Sequence, residues 1–123
     1  GYGTLLRGYF AMTIGWVLLG LSLWGVLESM GVHPASLVAE LPRYTASVAL
    51  AMVAGFLSLI PGGAVVREAV LTQLMVPHFR EITPQISAPT AALVSAVVLR
   101  LVWLVAELGI SIILYIGGMR KAR

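Results

Sequence analysis

Apolar residues run through three long stretches of the chain, and the two segments between these stretches hold most of the prolines and several charges. The first stretch, residues 8–27, includes FAMTIGWVLLGLSLWGVL and leaves no polar face on a helix. At about 1.5 Å per residue it matches the roughly 30 Å hydrocarbon core of a bilayer. The second stretch, residues 45–76, would be close to 50 Å long as one straight helix, more than a bilayer needs. It carries IPGGAVVREAV at its centre, where Pro61 lacks an amide donor and Gly62 and Gly63 accept almost any turn. Each half is then roughly 20 to 25 Å long, enough to enter the membrane and return. The third stretch, residues 89–116, is long enough to span with tilt, and Pro89 suits a first helical turn. The pattern predicts an all-α integral membrane protein, one transmembrane unit over residues 1–123. In it, a re-entrant helical hairpin broken at Pro-Gly-Gly lies between two transmembrane helices.

The connections read as breaks outside the membrane: residues 31–44 with Pro34 and Pro42, and residues 77–89, rich in proline and polar groups. Trp16 and Trp24 are expected to pack or to anchor at an interface. No internal repeat or low-complexity segment is found. The chain opens on Gly1 without an initiator Met or a signal-peptide pattern, and so reads as a piece of a longer protein that lacks an N-terminal transmembrane part. Arg120, Lys121 and Arg123 mark the cytoplasmic end of the third helix. With a re-entrant second unit, Arg7 falls on that same side; with a crossing one it falls outside.

Composition narrows the chemistry. Hydrophobic residues make up 59% of the chain and charged ones 11%, against roughly a quarter charged in a soluble domain. There is no Cys, so disulfides and thiolate metal sites are excluded, and no Asp or Asn to hold the magnesium of phosphoryl transfer. No cofactor or metal is expected. The net charge of +3 is scattered, which argues against nucleic acid as a partner.

Four charged residues are expected at depth. Arg67 and Glu68 follow the Pro-Gly-Gly break, Arg100 lies inside the third helix, and Glu107 is two turns further along the same face. A charge at mid-membrane costs about 2.5 to 3.5 kcal/mol, so each needs a partner; Glu68 with Arg100 and Arg67 with Glu107 would neutralise all four, and other pairings stay open. Arg suits bidentate phosphate contacts. The Gly62-Gly63 turn would set a half-helix N-terminus, with free amides, beside Arg67. Pro61, Gly62, Gly63, Arg67, Glu68, Arg100 and Glu107 therefore form the candidate site for an anionic head group, and Gln73 is expected to line the same cavity. His33 and His78 read as surface residues, Ser22, Ser58, Ser95 and Ser111 as packing contacts, and Gly15, Gly20, Gly25 and Gly55 as close-packing positions.

The stretches VAGFLSLIPGGAVVREAVL (residues 53–71) and ALVSAVVLRLVWLVAELGI (residues 92–110), with GWVLLGLSLWGVLESMG upstream, resemble the C-terminal part of the lysylphosphatidylglycerol synthase transmembrane region, the flippase-like family. That resemblance implies a multi-pass protein of a bacterial or archaeal cytoplasmic (inner) membrane. It implies passage of a lipid between leaflets and not its synthesis, since no soluble aminoacyltransferase domain is present. Carried over by position, it covers Pro61, Gly62, Gly63, Arg67, Glu68 and Arg100. The expected partner is a membrane lipid, an anionic phospholipid or a polyprenyl-phosphate-linked sugar, with a homo-oligomer possible. One departure stands out: Val65 occupies a position where the family usually has a further Gly. The rival readings are a membrane enzyme of envelope lipid or glycan biosynthesis using Glu68 or Glu107 as general base, and a membrane subunit in which the charges only lock helices together.

Overall fold

In the computed structural model, which describes residues 1–123 except 35, 64, 83–86, 122 and 123, the chain folds as four α-helices and one short 3₁₀ turn. Helix α1 is Tyr2–Ser29, α2 is Leu37–Leu57, the 3₁₀ turn is Pro61–Gly63, α3 is Val66–Ile82 and α4 is Ala88–Lys121. Three helices are long and apolar enough to cross a membrane: Tyr2–Ser29, Leu37–Leu57 and, within α4, Ala88–Gly118. The fold is thus that of a multi-pass helical membrane protein.

Local chemistry sets where α1 stops. Gly31 adopts φ 77°, its amide bonds the Glu28 carbonyl, and the Val32 amide bonds the Leu27 carbonyl at 3.0 Å. These two bonds satisfy carbonyls that the helix end would leave open, and Val32 and Leu27 are both buried in the core beneath the turn.

Two connections are shorter than the sequence reading expects, because Pro42 and Pro77 lie inside helices instead of ending them. Each proline removes one bond, to the carbonyl four residues earlier, on Val38 and Gln73 respectively; both residues are exposed, so these carbonyls sit on outward faces. Helix α2 accordingly begins at Leu37 and has 21 residues, about 31 Å, while α3 has 17, about 25 Å. The first half of the broken unit is therefore long enough to cross by itself, contrary to the expected 20 to 25 Å.

Helices α2 and α3 pack antiparallel. Tyr44, early in α2, meets His78, late in α3, whereas Gly55, late in α2, lies against Arg67, early in α3. Helix α1 joins through Gly20, where a Cβ would overlap the Thr45 hydroxyl and stand 3.0 Å from the Thr45 amide nitrogen. Helix α4 presents Ala88, Ala91, Ala92, Ser95, Ala96 and Leu99 as a buried strip of mostly small residues, which lets its backbone come close to its neighbours. Leu23, Leu27, Tyr44, Val48, Met75 and Phe79 complete the core. Gly15 and Gly25 are not packing positions, since a Cβ on either meets nothing within 4 Å. Residues 2–14 of α1 and most of residues 101–118 of α4 are exposed.

Candidate functional site

The break at Pro61 is a compact turn. The Ser58 hydroxyl donates to the Gly55 carbonyl at 2.7 Å, and the Gly63 amide donates to the Ile60 carbonyl at 2.8 Å. Three residues turn through left-handed backbone: Leu59 at φ 56°, Gly63 at 61° and Val65 at 71°. Gly63 is needed twice, for its φ and because a Cβ there would come within 2.8 Å of the Gly55 Cα. Gly55 and Gly63 leave a slot for the Arg67 stem; a Cβ on Gly55 would overlap the Arg67 Cγ.

Beyond that slot the Arg67 guanidinium lies over the Trp103 ring, its carbon 5.3 Å from the ring centroid. Such a contact is an electrostatic attraction to the ring face. Trp103 is held in turn from α1, because its indole N–H donates to the Ser22 hydroxyl at 3.0 Å, and that hydroxyl donates to the Leu19 carbonyl at 2.7 Å. Next to this stack, Glu68 Oε1 stands 3.8 Å from Arg100 Nε, an ion pair too long for a hydrogen bond. The other carboxylate oxygen, Glu68 Oε2, is buried without a hydrogen-bond partner.

Three spaces meet at these side chains. Arg67, Glu68, Arg100 and Trp103, with Val48 and Leu99, line a half-open pocket of about 20 Å³, the room of one water molecule. Arg67 also borders a recess of about 220 Å³ at the turn, beside Gly55, Phe56 and Ile60. Glu68 and Arg100 open on their far side to a groove of about 480 Å³ between α3 and α4, walled by Val65, Ala69, Val97 and Leu101.

The structure thus brings together Gly63, Arg67, Glu68 and Arg100, with Pro61 in the turn that leads to them. Of the two pairings offered by the sequence, Glu68 with Arg100 forms, and Arg67 with Glu107 does not: among the described residues Arg67 has no carboxylate within 4 Å, and Glu107 is exposed. Trp103 takes the place expected for Glu107, an aromatic face in place of a counter-charge. Trp103 was legible only as a residue one turn from Arg100 and one from Glu107, on their shared face. Gln73 is exposed and lines none of the three spaces.

Both histidines correct the sequence reading in part. His33 is exposed, but its Nδ1 lies 2.6 Å from Glu28 Oε2. His78 is not a surface residue: it is 1% exposed and bonded to Tyr44 and Arg43. Ser22 and Ser95 do serve packing, Ser95 fully buried, whereas Ser111 is exposed. Among the described residues no group of three His, Cys, Asp or Glu is placed to hold a metal ion.

Comparison of the chain with models of protein families, with curated proteins and with solved structures found no match.

Proposed function

We propose that the chain is a lipid-translocating membrane unit in which α2 and α3 form a re-entrant hairpin, and Arg67 and Arg100 receive an anionic head group while its tails stay in the bilayer. The reading rests on the family resemblance together with one observation. At the apolar end of the hairpin lie two guanidinium groups and a carboxylate whose only ion pair among the described residues is a loose 3.8 Å contact, with one buried oxygen unbonded. A polar group so poorly satisfied is expensive in a membrane protein and marks a place built to exchange partners.

The distribution of charge along the hairpin supports the re-entrant placement. Its open end carries Glu40, Arg43, His78 and Glu81, while its closed end exposes Phe56, Leu57, Leu59, Ile60 and Val65, all apolar. A hairpin that crossed would set that apolar end in water on the far side. Arg100 lies 12 residues into the Ala88–Gly118 span, about 18 Å from its start, which puts the pair near mid-span.

The pocket between Arg67, Arg100 and Trp103 is too small for a phosphate, so the head group enters by the groove between α3 and α4. There it takes Arg100 from Glu68, and Arg67 leaves the Trp103 face to complete a bidentate clamp. Substrate is an anionic phospholipid, an aminoacylated one, or a polyprenyl-phosphate-linked sugar, and the membrane is a bacterial or archaeal cytoplasmic one. The protein acts without covalent chemistry and without a cofactor. In proteoliposomes, Arg67→Ala or Arg100→Ala slows passage of a labelled anionic lipid at least about tenfold while the protein still inserts. Unchanged passage by both variants removes the head-group role.

The inter-helix pair also favours a second reading, in which Glu68 and Arg100 only fasten α3 to α4. The exchange Glu68→Arg with Arg100→Glu separates the two. A fastener tolerates the exchange with folding and transport intact, whereas a phosphate site keeps the fold and loses transport.

A further inference from the structure

At the open end of the hairpin, away from Arg67 and Arg100, buried His78 and Tyr44 meet a second group of polar side chains, Glu40, Arg43 and Glu81, that reaches the surface. The His78 Nε2 lies 2.9 Å from the Tyr44 hydroxyl, and its Nδ1 lies 3.1 Å from Arg43 Nη1. A guanidinium only donates, so Nδ1 accepts, and the ring is neutral with its proton on Nε2, directed at the Tyr44 oxygen. Glu40 Oε2 lies 3.7 Å from the same Nδ1, and it is buried with no hydrogen-bond partner. Arg43 Nη1 is also 3.6 Å from Glu81 Oε2 and 3.8 Å from Glu40 Oε2.

We infer that His78 is a proton-binding site in which uptake of one proton at Nδ1 exchanges its partner, from Arg43 to Glu40. Two carboxylates facing one guanidinium leave a negative charge unmatched, and a protonated imidazole supplies the missing positive one. The proton comes from water at the open end and bonds to Nδ1, which turns from acceptor to donor. Arg43 then loses its acceptor there and moves to Glu81, while Glu40 Oε2 gains the donor it lacks. The required closure, from 3.7 Å to a hydrogen bond, is about 1 Å.

The charged groups facing the ring come from several elements. Helix α2 contributes Glu40, Arg43 and Tyr44, and α3 contributes Glu81, with Arg80 exposed beside it. Helix α1 brings Glu28 at its C-terminal end, which is engaged by His33 in the following loop. Helix α4 has no ionisable residue before Arg100. Burial, the largest effect, and the nearby guanidinium push the His78 pKa below the usual histidine range, and Glu40 and Glu81 offset this only in part, so uptake needs acid. The site stands on its own geometry and does not depend on lipid translocation.

Imidazole ¹⁵N spectra of the histidine-labelled protein in lipid nanodiscs test this, with His33→Gln removing the other histidine of the chain. Near pH 7 the spectra should show Nδ1 unprotonated, and Nδ1 should become protonated only as the pH falls below the ordinary histidine range. Glu40→Gln should require at least about tenfold more protons to reach half-protonation, and Arg43→Gln should require fewer. A ring that stays neutral at about pH 4.5, or a midpoint unmoved by either variant, overturns the site. If one variant does not fold, the direction shown by the other decides.

Discussion

Val65 places a β-branched side chain at φ 71°, a conformation that glycine adopts freely and other L-residues enter at a cost of roughly 1 to 2 kcal/mol. It sits one residue before α3, so the strain borders the helix that carries Arg67 and Glu68. Strain of this kind persists where the surroundings enforce it, and here Gly63 packed on Gly55 fixes the path of the turn. Val65→Gly is expected to leave the thermal midpoint in detergent unchanged or to stabilise the fold by up to about 1 kcal/mol, because relief of φ offsets the added chain entropy. Gly63→Ala is expected to lower it clearly. Equal losses from both would show that the turn does not depend on left-handed backbone at Val65.

At the scale of elements, the contacts between helices depend on which glycines face a neighbour. Gly20→Val places its side chain against the Thr45 backbone and is expected to destabilise the α1 to α2 contact by about 1 to 3 kcal/mol, whereas Gly15→Val is expected to change little. Urea or thermal unfolding in detergent would show the contrast, and a comparable loss from Gly15→Val would place α1 differently. Sequence alone treated these two glycines alike, because apolar residues surround both and helical period does not say which face meets another helix. The same limit explains Pro42 and Pro77. Each is a breaker by local rules, yet packing of Tyr44 and Met75 close by holds the helix through it. His78 and Trp103 were misread or passed over because their partners, Tyr44 and Ser22, lie 34 and 81 residues away. The first and third spans and the break at Pro61 were legible because length and proline chemistry act locally, whereas Glu68 with Arg100 was one of several pairings that sequence alone left open.

At the scale of the whole molecule, the α2–α3 hairpin packs between the inner halves of α1 and α4, whose outer halves run on past it with apolar surfaces exposed. Its open end carries charge and its closed end is apolar, and under the proposed function this sets the guanidinium pair inside the membrane. The proposed transport role of Arg67 and Arg100 depends on that placement, since at an interface the same residues would be hydrated and satisfied. The chain has no Cys, so single cysteines report topology without background. The most direct measurement labels Ser36→Cys, Arg80→Cys and Leu59→Cys, one at a time, with a membrane-impermeant thiol reagent added from each side. Ser36 and Arg80 are exposed at the open end and Leu59 is 91% exposed at the closed end. The account predicts labelling of Ser36→Cys and Arg80→Cys from one and the same side, and of Leu59→Cys from neither until detergent is added. Labelling of Leu59→Cys from the opposite side would mean that the hairpin crosses, that Arg67 lies near an interface, and that the proposed head-group site does not exist.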